Sequence, residues 1–461
     1  MVSITRIATL SVALSMAFSA GHARAAGYYN LDQGIESFAQ GASMIAKPGN
    51  ASAVYLNPAG LIDLDGFDVM LGADYVLDYR SHARAAADLD DDPETAPTEF
   101  AKVTNELGFN HMPSPNVFAG YGGDTGALGK FGLGFGAWGP PRSDQIFSDD
   151  GAQRYSSITN ENLQVHFGGS FAWEIYAPLK LRVGATAMLV QVTIAQRLGL
   201  NSAGVFAFPE DPDYDIFADV SARDPAIFSG LYALSLEPTE GLTVGATFQT
   251  GFTILADGSL EVQIGDALAG AASIEGDTVE IEARMPSIAK LCVDYAPVNR
   301  DWGLSAALVW EGWGTNDVQT VRPVEIALTS GGTTEPLAPI LILNNYQDTW
   351  SVRAGGFYEV SETLVFRTGL FYETSSVPDA YRSLGTFDLD KIGVTGGASY
   401  VFSSGLRLSI ALGVLQGLGT DVTTSKVLAQ DPLNPDGGTV IGNGRYESTQ
   451  LTSMLGFGYE F

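Results

Sequence analysis

Leu455-Gly456-Phe457-Gly458-Tyr459-Glu460-Phe461 ends the chain, and its reading decides the fold. Leu455, Phe457, Tyr459 and Phe461 fall two residues apart, the side-chain period of a β-strand. One face of that strand is therefore aliphatic and aromatic. Terminal residues ordinarily fray, because little ties them down. An outer-membrane β-barrel is the exception: its last strand must close the sheet and face lipid. The sequence is thus read as all-β, a transmembrane antiparallel barrel.

The other end agrees. Arg6 is followed by an apolar run from Ile7 to Ala20, and Ala23-Arg24-Ala25 has the small-x-small form of a signal-peptidase site. Cleavage is expected after Ala25, so residues 1–25 form a signal peptide. The run is shorter than the roughly 20 apolar residues that a helical span needs, and no later segment reaches that length. The formal charge of −29 falls to −31 when the two arginines leave with the leader, which excludes a nucleic-acid binder held by phosphate contacts. Cys292 is the single cysteine, so no intramolecular disulfide forms. Acids gather between strands, as in Asp88, Asp90, Asp91, Asp92, Glu94 and Glu99. They lack an EF-hand pattern and read as a solvated loop.

Period-two alternation marks strands at about 67–79, 115–123, 130–138, 162–176, 179–198, 226–237, 242–262, 277–296, 302–316, 346–360, 363–374, 387–402, 405–418 and 445–461. Their number, about 14, is even, as bacterial single-chain barrels require. Tight connections such as 176–179, 238–241 and 403–405 alternate with long ones such as 80–114, 199–225 and 317–345. Short periplasmic turns and long extracellular loops are the outer-membrane arrangement. The barrel is assigned to residues 66–461.

Residues 26–65 do not alternate and carry Gly34, Gly41, Pro48, Gly49, Pro58 and Gly60. They are too few for an independent core, which leaves a periplasmic arm or a plug in the lumen. Within them, Gly41-Ala42-Ser43 and the run from Ala51 to Leu61, with Asn57-Pro58-Ala59 inside it, resemble the amino-terminal region of the FadL/TodX family of outer-membrane transport proteins. A second match runs through Arg367-Thr368-Gly369-Leu370-Phe371-Tyr372-Glu373 and Val377-Pro378-Asp379. The resemblance implies a fourteen-stranded barrel in the outer membrane of a Gram-negative cell, with an N-terminal hatch in its lumen. It implies passive import of long-chain fatty acids or, in other branches, monoaromatic hydrocarbons. The ligand would bind among outer loops, pass to an inner pocket and leave sideways near the third strand. Long-chain fatty acids are the first expectation here and aromatic hydrocarbons the second.

Candidate residues follow from local chemistry. Asn57-Pro58-Ala59 suits a turn or the start of a short helix; with the resemblance it becomes a hatch motif. Gly134-Phe135-Gly136-Ala137-Trp138-Gly139 spells a dinucleotide fingerprint, but Pro140-Pro141 follows where a helix is needed. It reads instead as a strand with Gly132, Gly134 and Gly136 toward the hatch and Phe131, Leu133, Phe135 and Ala137 toward lipid. Arg353 and Arg367 are expected to point inward, since Arg facing lipid costs about 2–4 kcal/mol at the midplane, and the hairpin should bring them close. They and Lys290 could anchor a ligand carboxylate or pair with hatch acids such as Asp32 or Glu36. Leu200, Val205, Phe206, Phe208, Ile216 and Phe217 make the 199–225 loop apolar enough to bind ligand. His82, His111 and His166 have no metal-ligand spacing, and no nucleophile elbow is present. No cofactor, metal or catalytic residue is expected. The partners expected are a hydrophobic ligand and outer-membrane lipid with lipopolysaccharide, the chain acting as a monomer. A general diffusion porin and an outer-membrane enzyme are the alternatives of another class.

Overall fold

The computed structural model describes residues 33–89, 94–106, 113–126, 129–140, 144–201, 210–265, 272–298, 300–330, 333–336, 339–429 and 438–461. The leader, Asp32, Asp90, Asp91, Asp92, His111, Val205, Phe206 and Phe208 lie outside these residues.

Fourteen strands form a closed antiparallel barrel. They are β1 Gly66–Arg84, β2 Ser114–Asp124, β3 Lys130–Trp138, β4 Thr159–Tyr176, β5 Leu181–Asn201, β6 Asp215–Thr239 and β7 Leu242–Gln249, followed by β8 Ile288–Tyr295, β9 Trp302–Glu311, β10 Thr349–Ser361, β11 Leu364–Glu373, β12 Lys391–Val401, β13 Leu406–Gly417 and β14 Gly444–Glu460. Each pairs with the next, and β14 returns to β1 from Asp68↔Glu460 to Arg84↔Gly444. Closure pairs the two end strands that an open sheet would leave bare in lipid, where an unpaired backbone group would cost several kcal/mol. Leu455, Phe457, Tyr459 and Phe461 all face outward, as do Leu412, Val394, Leu370 and Val352 on neighbouring strands.

Three expected strands are divided. The 242–262 segment becomes β7 and Phe252–Ile264; 277–296 becomes Thr278–Met285 and β8; 302–316 ends as β9 and a 3₁₀ turn, Trp313–Thr315. Pro286 lacks the N–H that a continuous ladder would use. Ser287 repairs the break, accepting from Gly251 N through its hydroxyl and from Gly312 N through its carbonyl, both at 2.9 Å. Beyond this line Phe252–Ile264, Thr278–Met285, Val318–Val324 and Ile340–Leu343 continue as an outer wall, joined to the far half of β6. Much of the 199–225 segment is likewise strand, because β5 and β6 stay paired out to Asn201↔Asp215.

The segment before β1 lies inside the barrel. Its two short helices, α1 Ile35–Ala39 and α2 Ala53–Leu56, and the 3₁₀ helix Pro58–Asp63 are almost wholly buried. Backbone meets backbone at Gly369 of β11: a Cβ there would fall 2.1 Å from Gln40 C and Gly41 N. Gly41 itself has φ +68°, which disfavours any larger residue.

Leu412 sits near the middle of β13, 64 % exposed on the outer face. Leu412→Arg should destabilise the folded barrel by about 2–4 kcal/mol. Denaturant titration in lipid vesicles reads this, whereas Ser409→Arg, on the inward face of the same strand, tests the hatch instead.

Candidate functional site

The plug is held by buried charge. Glu36 of α1 pairs with Arg367 of β11 (2.9 Å) and Arg407 of β13 (3.4 Å), and accepts from Ser399 (3.3 Å) and Ser409 (3.1 Å). Burial alone would raise the Glu36 carboxyl, but the two guanidinium groups and two hydroxyls hold it below its ordinary value of 4.5. Arg407 also reaches Asp68 at 3.3 Å, and Asp68 accepts from the Ala51 amide at 2.7 Å. On another side Arg182 pairs with Asp63 at 2.6 Å, and Thr186 donates to the Val54 carbonyl at 2.9 Å.

Asn57-Pro58-Ala59 organises the hatch internally. Asn57 Oδ1 caps the 3₁₀ helix by accepting from Ala59 N at 3.2 Å, and its Nδ2 donates to the Ala46 carbonyl at 3.1 Å. Pro58 takes the first helical position, where no N–H is required.

Arg353 and Arg367 do face inward, but they do not meet. Register places Arg353 opposite Phe371 and Arg367 opposite Phe357, four residues apart along each strand, or roughly 13 Å at about 3.3 Å per residue. Arg353 pairs with Glu373 at 3.5 Å and donates to the hatch carbonyl of Ala42 at 3.5 Å. Lys290 Nζ stands 5.4 Å from the ring centre of Tyr55 on α2. Phe217 departs from its expected place: it lies on β6 beneath the Arg197 guanidinium (5.1 Å), on the face opposite Ala218 and Val220, which line the interior.

The glycine strand behaves as expected at two positions. A Cβ on Gly132 would meet Leu61 at 2.6 Å, and one on Gly134 would meet Val54 at 2.5 Å, so β3 lies directly on the hatch. Gly136 instead accommodates the Phe118 and Trp138 rings, and Ala137, still paired to Val117 and Phe167, is buried rather than lipid-facing.

The end of β3 is the main geometric feature of the wall. β3 pairs with β4 only as far as Trp138↔His166, and among the described residues pairing to β4 resumes at Gln145↔Asn160. Among the described residues β1 loses β2 after Asp74↔Ser114 and is next paired on that side at Ser81↔Thr104. The ladder is therefore interrupted between β1 and β4 above β3. Trp138 marks the gap, with Tyr55 at 5.7 Å edge-on, Phe118 at 5.8 Å and His166 stacked at 5.6 Å. Trp138 and Phe118, with Tyr55 packed against them, belong to one continuous apolar cluster that runs from Val54 and Leu61 through Phe252, Ile254 and Leu260 to Val321 of the outer wall.

The closed barrel has relatives among known proteins. The profile described as outer membrane protein transport protein (OMPP1/FadL/TodX) matches residues 16–460. The chain belongs to this family. FadL/TodX proteins are outer-membrane β-barrels that serve as transport channels for hydrophobic compounds, and so is this one. Among solved structures it is similar to a Pseudomonas aeruginosa FadL homologue, at 17 % identity and TM-score 0.76, covering 96 % of this chain and 100 % of that one. The Pseudomonas putida toluene transporter TodX gives 17 % and 0.65, covering 95 % and 100 %. The Ralstonia pickettii toluene transporter TbuX gives 16 % and 0.60, covering 93 % and 98 %. Comparison with curated proteins finds no significant match.

A second buried network, which no local pattern foretells, lies at the outer mouth. Arg84 grips Glu210 with two bonds of 2.6 and 2.7 Å, while Arg154 donates to the Glu210 carbonyl and to Asp215, both at 2.5 Å. Tyr155 donates to Asp215 at 2.7 Å. Burial, reinforced by the nearby carboxylates, raises the Tyr155 hydroxyl above its ordinary value. The partners lie 56 to 126 residues apart, so no local pattern announces them.

Arg367→Ala leaves a buried carboxylate short of a partner and should weaken hatch docking by about 3 kcal/mol, seen as transient conductance in planar bilayers. The depressed Glu36 carboxyl contributes stability that is complete at neutral pH and is lost as pH falls below about 4.5 through its folded value. The wild-type barrel should therefore stay quiet at pH 7 and begin to flicker as the medium is acidified past the ordinary carboxyl value and through the depressed one; silence that persists until the barrel itself unfolds in acid would contradict the assignment.

Proposed function

We propose that this channel carries uncharged hydrophobic molecules passively inward, monoaromatic compounds foremost, and releases them sideways at the break above β3. The observation that carries the reading is the apolar column ending at Trp138, where the ladder between β1 and β4 stops. A greasy solute gains about 0.8 kcal/mol for each methylene it buries. It crosses the polar sugar layer inside the outer wall and meets a second apolar phase at the gap. Gly132, Gly134 and the Asn57-Pro58-Ala59 motif hold the hatch against that exit.

Uncharged ligands come first because two of the three candidate carboxylate anchors are already engaged, Arg367 by Glu36 and Arg353 by Glu373. Long-chain fatty acids remain a second reading, favoured by Lys290 beside Tyr55 near the gap. The barrel acts as a monomer surrounded by lipid and lipopolysaccharide, since plug, column and exit all lie within one chain. It runs no reaction.

The test is uptake of labelled toluene and labelled oleate by cells lacking their own importers, with surface assembly verified. Saturable toluene uptake that falls at least tenfold when residues 57–59 are scrambled supports the proposal. Oleate uptake without toluene uptake moves the assignment to fatty acids, and steady single-channel conductance would make the protein a porin.

A further inference from the structure

The wall beside the gap is not uniformly apolar. Asn160, Asn162, Gln164 and His166 occupy consecutive inward positions of β4, and all four are at least 95 % buried. Placing such groups along an apolar passage costs free energy unless each finds a partner. Asn162 Nδ2 donates to Asn160 Oδ1 at 2.7 Å, and Gln164 Nε2 lies 2.6 Å from His166 Nε2. An amide nitrogen can only donate, so Nε2 accepts and the neutral ring carries its proton on Nδ1. That N–H donor is buried and has no protein partner among the described residues. It is held rigidly, with Trp138 stacked at 5.6 Å and the Phe252 ring edge-on at 6.4 Å.

The position matters as much as the atom. His166 is the last residue of β4 paired to β3, one lip of the break. The other lip is Asp74, the last residue of β1 paired to β2. Asp74 is 1 % exposed; Asn116 donates to its Oδ1 at 3.2 Å, while its Oδ2 has no partner among the described residues. An N–H donor on one lip suits a neutral oxygen function, and the Asp74 carboxyl on the other lip supplies no positive charge to receive an anionic one.

We infer that the passage beside β3 selects hydrophobic molecules bearing a neutral hydrogen-bond-accepting oxygen, which His166 Nδ1–H binds. The inference rests on the transport reading above and refines its substrate class from plain hydrocarbons to oxygen-bearing ones, such as aromatic ketones and alcohols. Tyr55, Trp138 and Phe252 hold the apolar body, and His166 fixes the polar end at the exit.

The test compares acetophenone with isopropylbenzene, which match in size and differ in the carbonyl. Binding to the purified full-length barrel is measured by headspace partitioning. His166→Phe should lower the acetophenone-to-isopropylbenzene affinity ratio about tenfold, the size of one lost hydrogen bond, with isopropylbenzene affinity changed less than about twofold on the same scale. His166→Asn, which keeps an N–H near the Nδ1 position, should restore most of the ratio; His166→Leu replaces the Phe variant if that one fails to assemble. An unchanged ratio in the apolar variants, with both ligands binding, overturns this inference alone. Failure of both ligands to bind the wild-type barrel overturns the transport reading with it.

Discussion

Every backbone N–H and C=O in the hydrocarbon layer must find its partner within the protein. This constraint closes β14 on β1 along seventeen residue pairs, Asp68↔Glu460 to Arg84↔Gly444. It also explains why departures from the ladder are few and mended. At Pro286 the neighbouring Ser287 takes up the amides of Gly251 and Gly312. Above Trp138, among the described residues, the ladder resumes at Gln145.

A closed barrel of this size has an interior that must be filled or left wet. Here it is filled by a segment with no core of its own, so the barrel wall supplies the other half of that core. Ile35 and Phe38 pack against Phe371, Ala411 and Met454, while Val54 and Leu61 pack against β3. Apolar contact alone would let such a plug slide. The Glu36–Arg367–Arg407 cluster and the Arg182–Asp63 pair fix its orientation, because a buried ion pair tolerates little displacement before one charge is left uncompensated. The same cluster occupies the arginine that a charged ligand would otherwise reach.

The two ends of the passage use different chemistry. At the mouth, Arg84, Glu210, Arg154 and Asp215 tie chain segments from three connections into one buried polar unit. At the break above β3, aromatic rings come from α2, β2, β3 and β4, and polar atoms stand on both lips.

The sequence by itself determined the membrane barrel, its strand number and the lipid-facing set, because side-chain alternation is a local property with period two. Leu455, Phe457 and Tyr459 could be read directly, and so could the glycine face at Gly132 and Gly134. Asn57-Pro58 announced a helix start for the same reason: a cap is made within a few residues. Strand continuity was read less well. Apolar alternation runs through Gly251 and Pro286, and only the paired neighbours show that the ladder breaks there. Tertiary structure alone decided which charges meet. Glu36 and Arg367 are separated by 331 residues, and Arg353 and Arg367, close in sequence, are parted by hairpin register. It also decided that Phe217 faces away from the lumen and that His166 stands at the edge of a break. The physical reason is that register and closure set inter-strand contacts, and neither is written in the pattern of any single strand.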